Sequence, residues 1–493
     1  MPVPMLLLMP AALGSGLDAP LTAPLGSGVT SSDAAATVFA PAMLTDLQAP
    51  EVIVGGGLVA GVASFARERL GPYPFADGLV LGAPVDPADL DPSRTGPADP
   101  VSATLLAATA DLHLGGPVWR DRLFLGGSIT VPYAAPIAWP ADGAQRWALR
   151  EAQIYVPHAT LAIAGTPHPV VRLGAGASWV VGLASLSKVQ DFAGLSLLGD
   201  ALADPPVNQP NDLGPDAPST VREQDVLSRP FVYRGGLAHA ATFTASLALR
   251  VHPRAWVSAA YDHGTPLTFR GEASLDLDDP FFTADLASNG LAFPARVTGT
   301  GLLTLHLPQR VRAGLRVQAS RAVRLDVLGE AVLWSANQTF DLTIRSPDLE
   351  QPDLGIGDTA EASIDRRWLD AGHALLRVEG TTGRGAWIVA AGYQSPASPD
   401  ATVDASSPDG HRLVGGLGGR LATGRGVVLH LDGRVQWTLP RHVTTSTHDL
   451  ANGRHDLWLA ALALHVQAPL RRTAGRPATT PSPRPASGRA AGW

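Results

Sequence analysis

The sequence predicts an all-β chain: a transmembrane antiparallel β-barrel of about 14 strands with an N-terminal hatch inside the lumen. Three observations predict it. Apolar and polar residues alternate with period two along many segments, those segments join alternately by very short turns and long polar stretches, and no run approaches the roughly 18 to 20 apolar residues that a spanning helix requires.

Composition supports the same class. The 493 residues include 52 Gly and 43 Pro, which punctuate the chain at short intervals, and charged residues are only 16%, low for a water-soluble protein of this length. The absence of cysteine rules out disulfide frameworks and thiolate metal sites and suits export through an oxidising compartment. A formal net charge of -7 and a single lysine, Lys188, leave little from which to build a phosphate-binding surface, so nucleic acid is not an expected partner.

From the N-terminus, residues 1–16 are expected to be an export signal: Met1 to Leu13 has its apolar middle and small residues follow, although a positively charged leading region is missing. Residues 17–49 are expected to form the hatch, and 50–468 the barrel. The alternation is clearest from Leu303 to Ala319, where Leu303, Leu305, Leu307, Val311, Leu315 and Val317 share one parity and Thr304, His306, Arg310, Arg312 and Arg316 the other. Pro308 interrupts the ladder donors, so the part before it is expected to be a separate, edge-like extension. Similar runs surround Phe243 to Leu249, Val323 to Leu333 and Val427 to Trp437.

Alternation alone does not say which face meets water. Connection lengths decide it: candidate strands pair across short turns near residues 165–167, 252–254, 320–321, 382–384 and 423–425. Long polar stretches separate those pairs near 190–235, 275–297, 341–366, 398–410 and 440–454. That sorting is expected of a barrel with periplasmic turns and extracellular loops. Strands are expected near 51–66, 101–113, 119–134, 146–163, 168–188, 237–251, 254–274, 298–320, 322–342, 368–381, 384–396, 411–423, 425–439 and 455–468. A barrel this wide needs a plug, and the residues before the first strand are the candidate. Residues 469–493, rich in proline and carrying Arg471, Arg472, Arg476, Arg484 and Arg489, are expected to be a disordered periplasmic tail.

The segment SSDAAATVFAPAMLTDL (31–47), leading into PEVIVGGGL, resembles the N-terminal hatch of the FadL family of outer-membrane transporters of long-chain fatty acids and other hydrophobic compounds. Ala40 stands where the family usually has Asn, in Ala40-Pro41-Ala42. Further resemblances follow in family order: DRLFLGGSITVPYAAP (121–136) to the third strand, LPQRVRAGLRV (307–317), EAVLWSANQTF (330–340) and AAGYQSPASPD (390–400) to later segments. The family's last strand usually ends near the C-terminus in an aromatic residue, whereas here the tail follows.

The resemblance implies three steps: capture of a hydrophobic molecule by outer loops, transfer into an apolar pocket, and release through a lateral gap at a kink in the third strand. On this sequence the hatch maps to Asp33, Phe39, Ala40, Pro41 and Ala42. The kink maps to Ser128, Thr130, Pro132, Tyr133 and Pro136, where prolines lacking an N–H independently predict broken pairing. Capture is expected from Phe192, Leu195, Leu197 and Leu198, and from Phe281, Phe282, Leu286, Leu291 and Phe293, apolar clusters on loops. Arg312, Arg316 and Arg324, with Arg310, have inward parity and are expected either to meet a ligand head group or to pair with carboxylates such as Asp326 and Glu330.

The partners expected are fatty acids, aromatic hydrocarbons and outer-membrane lipid, with the chain a monomer. No metalloprotease, P-loop or nucleophile-elbow motif is present, and Gly55, Gly57 and Ala60, which match a dinucleotide fingerprint in spacing, sit inside an alternating strand with no helix after them. Neither a cofactor nor an enzymatic activity is therefore expected. The competing readings are a structural or adhesive barrel and, with less support, an outer-membrane lipase.

Overall fold

The structure, a computed structural model, describes residues 23–68, 99–119, 122–191, 228–280, 283–284, 287, 292–424, 426–446 and 451–470. The expected signal segment and all of the tail beyond 470 lie outside these residues. Period-two alternation becomes a continuous wall of antiparallel strands. In chain order they are β1 (Glu51–Arg67), β2 (Val101–Trp119), β3 (Leu123–Ala138), β4 (Glu151–His168), β5 (Val171–Asp191), β6 (Ser228–His252), β7 (Ala255–Asp262), β8 (Thr265–Asp276) and β9 (Arg296–Leu307). There follow β10 (Gln309–Gln318), β11 (Val323–Leu333), β12 (Thr339–Arg345), β13 (Thr359–Asp365), β14 (Ala371–Thr382), β15 (Gly385–Gln394), β16 (Arg412–Ala422), β17 (Val428–Val443) and β18 (Gly453–Pro469).

These 18 segments make 14 staves, because β7–β8, β9–β10, β11–β12 and β13–β14 are each one stave broken once. The wall closes where β1 pairs on one side with β18, from Glu51 opposite Pro469 to Arg67 opposite Gly453, and on the other with β2. Closure leaves the sheet with few free edges, among them the outer side of β13, which pairs with β12 alone, and the place described below.

At one end the staves join through a few residues, at 169–170, 253–254 and 383–384 for example, and at the other through long connections. Two expected loops are shorter than alternation suggested. The stretch 341–366 contains β12 and β13 around a connection of 346–358, and β6 starts at Ser228, inside the stretch expected to be loop.

Outward-facing residues through the middle of the wall are apolar and exposed, with Leu106 at 71%, Leu161 at 75% and Leu417 at 67%. Exposed aromatic residues bound this band: Trp119 and Trp387 near the short turns, and Trp179, Tyr393, Trp437 and Trp458 eight or more residues up the staves. The interior at the same height is polar and buried, with Asp111, His113, Asp326, Arg377, Glu379 and His465. Apolar outside, polar inside and aromatic girdles define a transmembrane barrel of the outer-membrane type.

Above that band the pattern inverts. In the stave of β9 and β10, Val311 and Leu315 point outward below Pro308, yet Leu303, Leu305 and Leu307, of the same parity, are buried inside above it. The stave β7–β8 does the same across His263-Gly264: Val257 is exposed and Leu267 and Phe269 are fully buried. In β6 the change falls where its register with β8 shifts, next to Gly235 at φ 65°, with Phe243 and Leu247 outside and Phe231 and Tyr233 inside. Gly235 is needed there because a side chain rarely adopts that left-handed backbone. The run from Leu303 to Ala319 is therefore not one face. The upper segment before Pro308 is separate as expected, but it is not an edge, since β9 pairs with both β8 and β12. The physical reason is that the wall rises out of the bilayer, so its apolar side turns from lipid to an internal core, and each break supplies the one-residue slip that exchanges faces. That core gathers Phe231, Tyr233, Phe269, Leu305, Trp334 and Trp368.

Candidate functional site: the hatch cavity and the open seam

Residues 23–50 lie inside the barrel. A single helical turn (Ala36–Phe39) and a 3-10 turn (Pro41–Asp46), with proline at its first position where no N–H is missed, bury Met43 and Leu44 completely. The wall makes room with glycine: a Cβ at Gly174 would overlap the backbone of Ala42, and one at Gly126 would overlap Thr37.

Polar contacts then fix the segment. Ser258 donates from Oγ to the Val29 carbonyl (2.8 Å), the Ala42 N–H donates to Ser246 Oγ (2.8 Å), and Asp46 takes Arg172 (2.6 Å) and Arg316 (3.3 Å). Thr30 donates to Asp326 (2.8 Å), and Arg377 donates to Asp326 and to the carbonyls of Leu25 and Ser27. Of the hatch residues expected from sequence, Asp33 accepts from the Ala35 N–H and from Ser27 Oγ. Ala40, with no side-chain polar group where the resembling family has Asn, is fully buried and uses only its backbone.

The second feature is a seam in the wall. β3 pairs with β2 only as far as Ile129, opposite Leu112, whereas its pairing with β4 continues to Ala138. On the other side, β2 stays paired to β1 up to Val101. Val101 to Asp111 and Thr130 to Ala138 therefore face each other without ladder bonds. The register of β3 with β4 slips between Thr130 and Tyr133, placing Val131 and Pro132 against Pro157 alone, a bulge with a proline on each side. Among the residues expected at the kink, Ser128 and Thr130 are buried inward, Tyr133 packs inside, and Pro132 and Pro136 are half-buried. Behind the seam the connection 139–150 folds into the lumen, packing Trp139, Ala144 and Leu149 on Ala103, Leu105 and Ala107.

A cavity of about 290 Å³ joins hatch and seam. Val38 and Phe39 of the hatch, Thr130, Pro132 and Tyr133 of the seam, and Arg312 all line it, so sequence-expected residues from three places meet. Its lining is amphipathic and not the uniformly apolar pocket expected. Tyr133, Leu307, Pro308 and Val332 supply apolar surface, and Thr160, Ser178, Thr244, Asp262, Arg310 and Glu330 supply polar surface.

The arginines are ion-paired: Arg310 to Glu330 (3.1 Å), Arg312 to Asp262 (2.5 Å) and Glu330 (3.1 Å), Arg316 to Asp46 and Asp326, and Arg324 to Asp326 (3.0 Å) and Glu379 (2.7 Å). Arg316 and Arg324 do not line the cavity. Of the expected capture residues, Phe293 is half-buried between β8 and β9; Phe192, Leu195, Leu197, Leu198, Phe281, Phe282, Leu286 and Leu291 lie outside the described residues.

Sequence reasoning missed Arg377, His158 and His373. Their inward parity was readable: His158 shares its face with Thr160 and opposes Leu161, and Arg377 opposes Leu376.

Solved structures share this barrel fold. A Pseudomonas aeruginosa FadL homologue superposes with a TM-score of 0.70 at 17% identity, covering 94% of this chain and 99% of that one. The chain has the FadL fold. The CymD monoaromatic hydrocarbon channel (TM-score 0.59, 13% identity, 94% and 98% covered) and the P. putida toluene transporter TodX (0.59, 12%, 90% and 99%) share that FadL fold too. No protein-family model and no curated protein sequence matches the chain.

Proposed function

We propose that this chain carries hydrophobic small molecules through the outer membrane as a monomer, from the outer apolar core to the hatch cavity and out sideways into lipid between β2 and β3. The observation that carries the reading is the adjacency of two things: the unpaired edges of the seam, and a cavity that Thr130, Pro132 and Tyr133 of that seam themselves line.

An unpaired strand stretch at membrane depth is unfavourable unless it serves a cavity or is covered, because lipid offers no hydrogen bonds. A sideways exit suits apolar cargo, since axial passage into water would expose it at about 25 cal/mol per Å². The hatch, tied to β5, β6, β7 and β10, stands in the axial route, which favours the side. Structures of the same fold are described as a toluene transporter and a monoaromatic hydrocarbon channel, which supports aromatic hydrocarbons beside long-chain fatty acids as cargo. This is transport, not catalysis.

Deleting Pro132 removes the extra residue of the bulge and lets β3 zip onto β2. Uptake of radiolabelled toluene or oleate by cells expressing that variant should fall at least severalfold, with the heat-dependent gel shift of a folded barrel retained. Undiminished uptake would refute the lateral route.

A further inference from the structure

The cavity carries three guanidinium groups, Arg310, Arg312 and Arg434, and each has a carboxylate of its own. Glu330 sits 3.1 Å from Arg310, Asp262 2.5 Å from Arg312, and Asp432 3.1 Å from Arg434. Arg310 additionally donates to Tyr133 Oη (3.1 Å), Arg312 to the Phe39 carbonyl (3.4 Å) and Arg434 to the Ala23 carbonyl. Glu330 and Asp262 line the cavity and Asp432 neutralises Arg434 from just outside the lining, so each guanidinium already has an anionic partner before any anion enters. Charged ligand heads in a partly desolvated site need such a partner, because removing a carboxylate from water without one is strongly unfavourable.

What the cavity offers instead is neutral hydrogen bonding. His158 Nε2, His373 Nε2 and Gln436 Oε1 are buried on its wall with no protein partner among the described residues. His158 lies beside Tyr133, with ring centroids 5.9 Å apart, on the seam side. His373 lies by Glu330, its Nδ1 3.9 Å from that carboxylate. A neutral imidazole nitrogen either donates or accepts according to its tautomer, and an amide oxygen accepts. A hydroxyl, both donor and acceptor, satisfies any of these, and a carbonyl satisfies a donating imidazole. Phe39, Tyr133, Leu307 and Val332 provide the apolar surface for the rest of such a molecule.

We infer that the cavity selects neutral amphiphiles, an apolar body bearing one hydroxyl or carbonyl group, over the corresponding carboxylates. The inference rests on the passage reading above and narrows its cargo. The test is direct binding of decane, 1-decanol and decanoate to the full chain in a nonionic detergent at pH 7.5, where the free acid is ionised. Decanol is expected to bind at least tenfold more tightly than decanoate. His158→Phe should weaken decanol several-fold relative to decane. Glu330→Gln, which leaves Arg310 and Arg312 with Asp262 alone, should shift the ratio at least fivefold toward decanoate.

Decanoate binding as tightly as decanol in the unmodified protein overturns the inference and needs no variant. So does a decanol affinity unmoved, relative to decane, by His158→Phe. Binding of decane and decanol alike, with decanoate weaker, and no histidine effect would leave the passage reading intact while removing this one. Binding of none of the three removes both.

Discussion

Arg377 and Asp326 meet at 3.1 Å with both side chains fully buried, and the same guanidinium grips the hatch through the carbonyls of Leu25 (3.1 Å) and Ser27 (2.8 Å). One wall residue thus joins the wall's charge network to the plug's backbone. Arg377→Leu removes the clamp and leaves Asp326 with Arg324, Arg316 and the Thr30 hydroxyl. Breaking a buried pair from one side costs about 3–5 kcal/mol. The expected outcome is rapid proteinase K cleavage within residues 23–47 while the barrel resists, read by mass spectrometry of the fragments.

The plug also fills part of the lumen. Asp46, Ala42 and Val29 are tied to β5, β6, β7 and β10, so deleting residues 23–47 empties the space between those staves. In planar bilayers the single-channel conductance of the deletion variant should rise severalfold over the parent, as expected when a wide barrel loses its filling. An unchanged conductance would mean that other segments close the axis.

The exchange of faces at Pro308 predicts opposite behaviour for residues of one parity. With single cysteines on whole cells, Thr304→Cys on β9 should react with a charged maleimide. Leu305→Cys, buried inside, should not, and Val311→Cys, on the exposed face of β10, should react only with a lipid-soluble reagent. In the same vein Leu161→Arg, outward in the membrane band, should cost about 2–4 kcal/mol, the range for a cation near mid-bilayer. Unfolding in urea measures it.

The outer connection 395–411 holds a titratable lock. Burial pushes the Asp404 carboxyl up, but Arg366 at 3.0 Å and the hydrogen bonds of Ser406 outweigh it and hold the group below its ordinary 3.8. A carboxyl depressed in the folded state stabilises at pH above that ordinary value, and the contribution is lost as pH falls through and below it. Amide exchange in 395–411 should therefore accelerate, relative to the barrel staves, between pH 5 and pH 3. Asp404→Asn should exchange fast at both. Equal protection of the parent at the two pH values would contradict the lock.

Much of the wall was legible because the bilayer imposes a simple rule. Leu161, Leu417 and Leu429 alternate with inward residues, the turns at 253–254 and 383–384 fall where short connections were expected, and the stave number follows from counting; the turn expected near 165–167 falls instead at 169–170, because β4 continues through Pro167 to His168. Pro132 and Pro136 marked the third strand as a place to look for broken pairing, because a missing donor is a property of the residue itself; the slip against β4 falls at Pro132, whereas Pro136 stays in register with Gln153. The FadL-like hatch was visible as a motif, although Arg377, which grips it, was not, because its role depends on a partner more than 300 residues away.

By itself, then, the sequence determined the class of structure and the number of staves. Only the tertiary structure decided which way a residue faces above the bilayer, how the cavity's charges are divided and what the broken seam opens onto. The reason is that alternation is a local property fixed by backbone geometry, whereas facing, pairing and cavity lining depend on where the surrounding solvent changes from lipid to water and on contacts closed across the lumen.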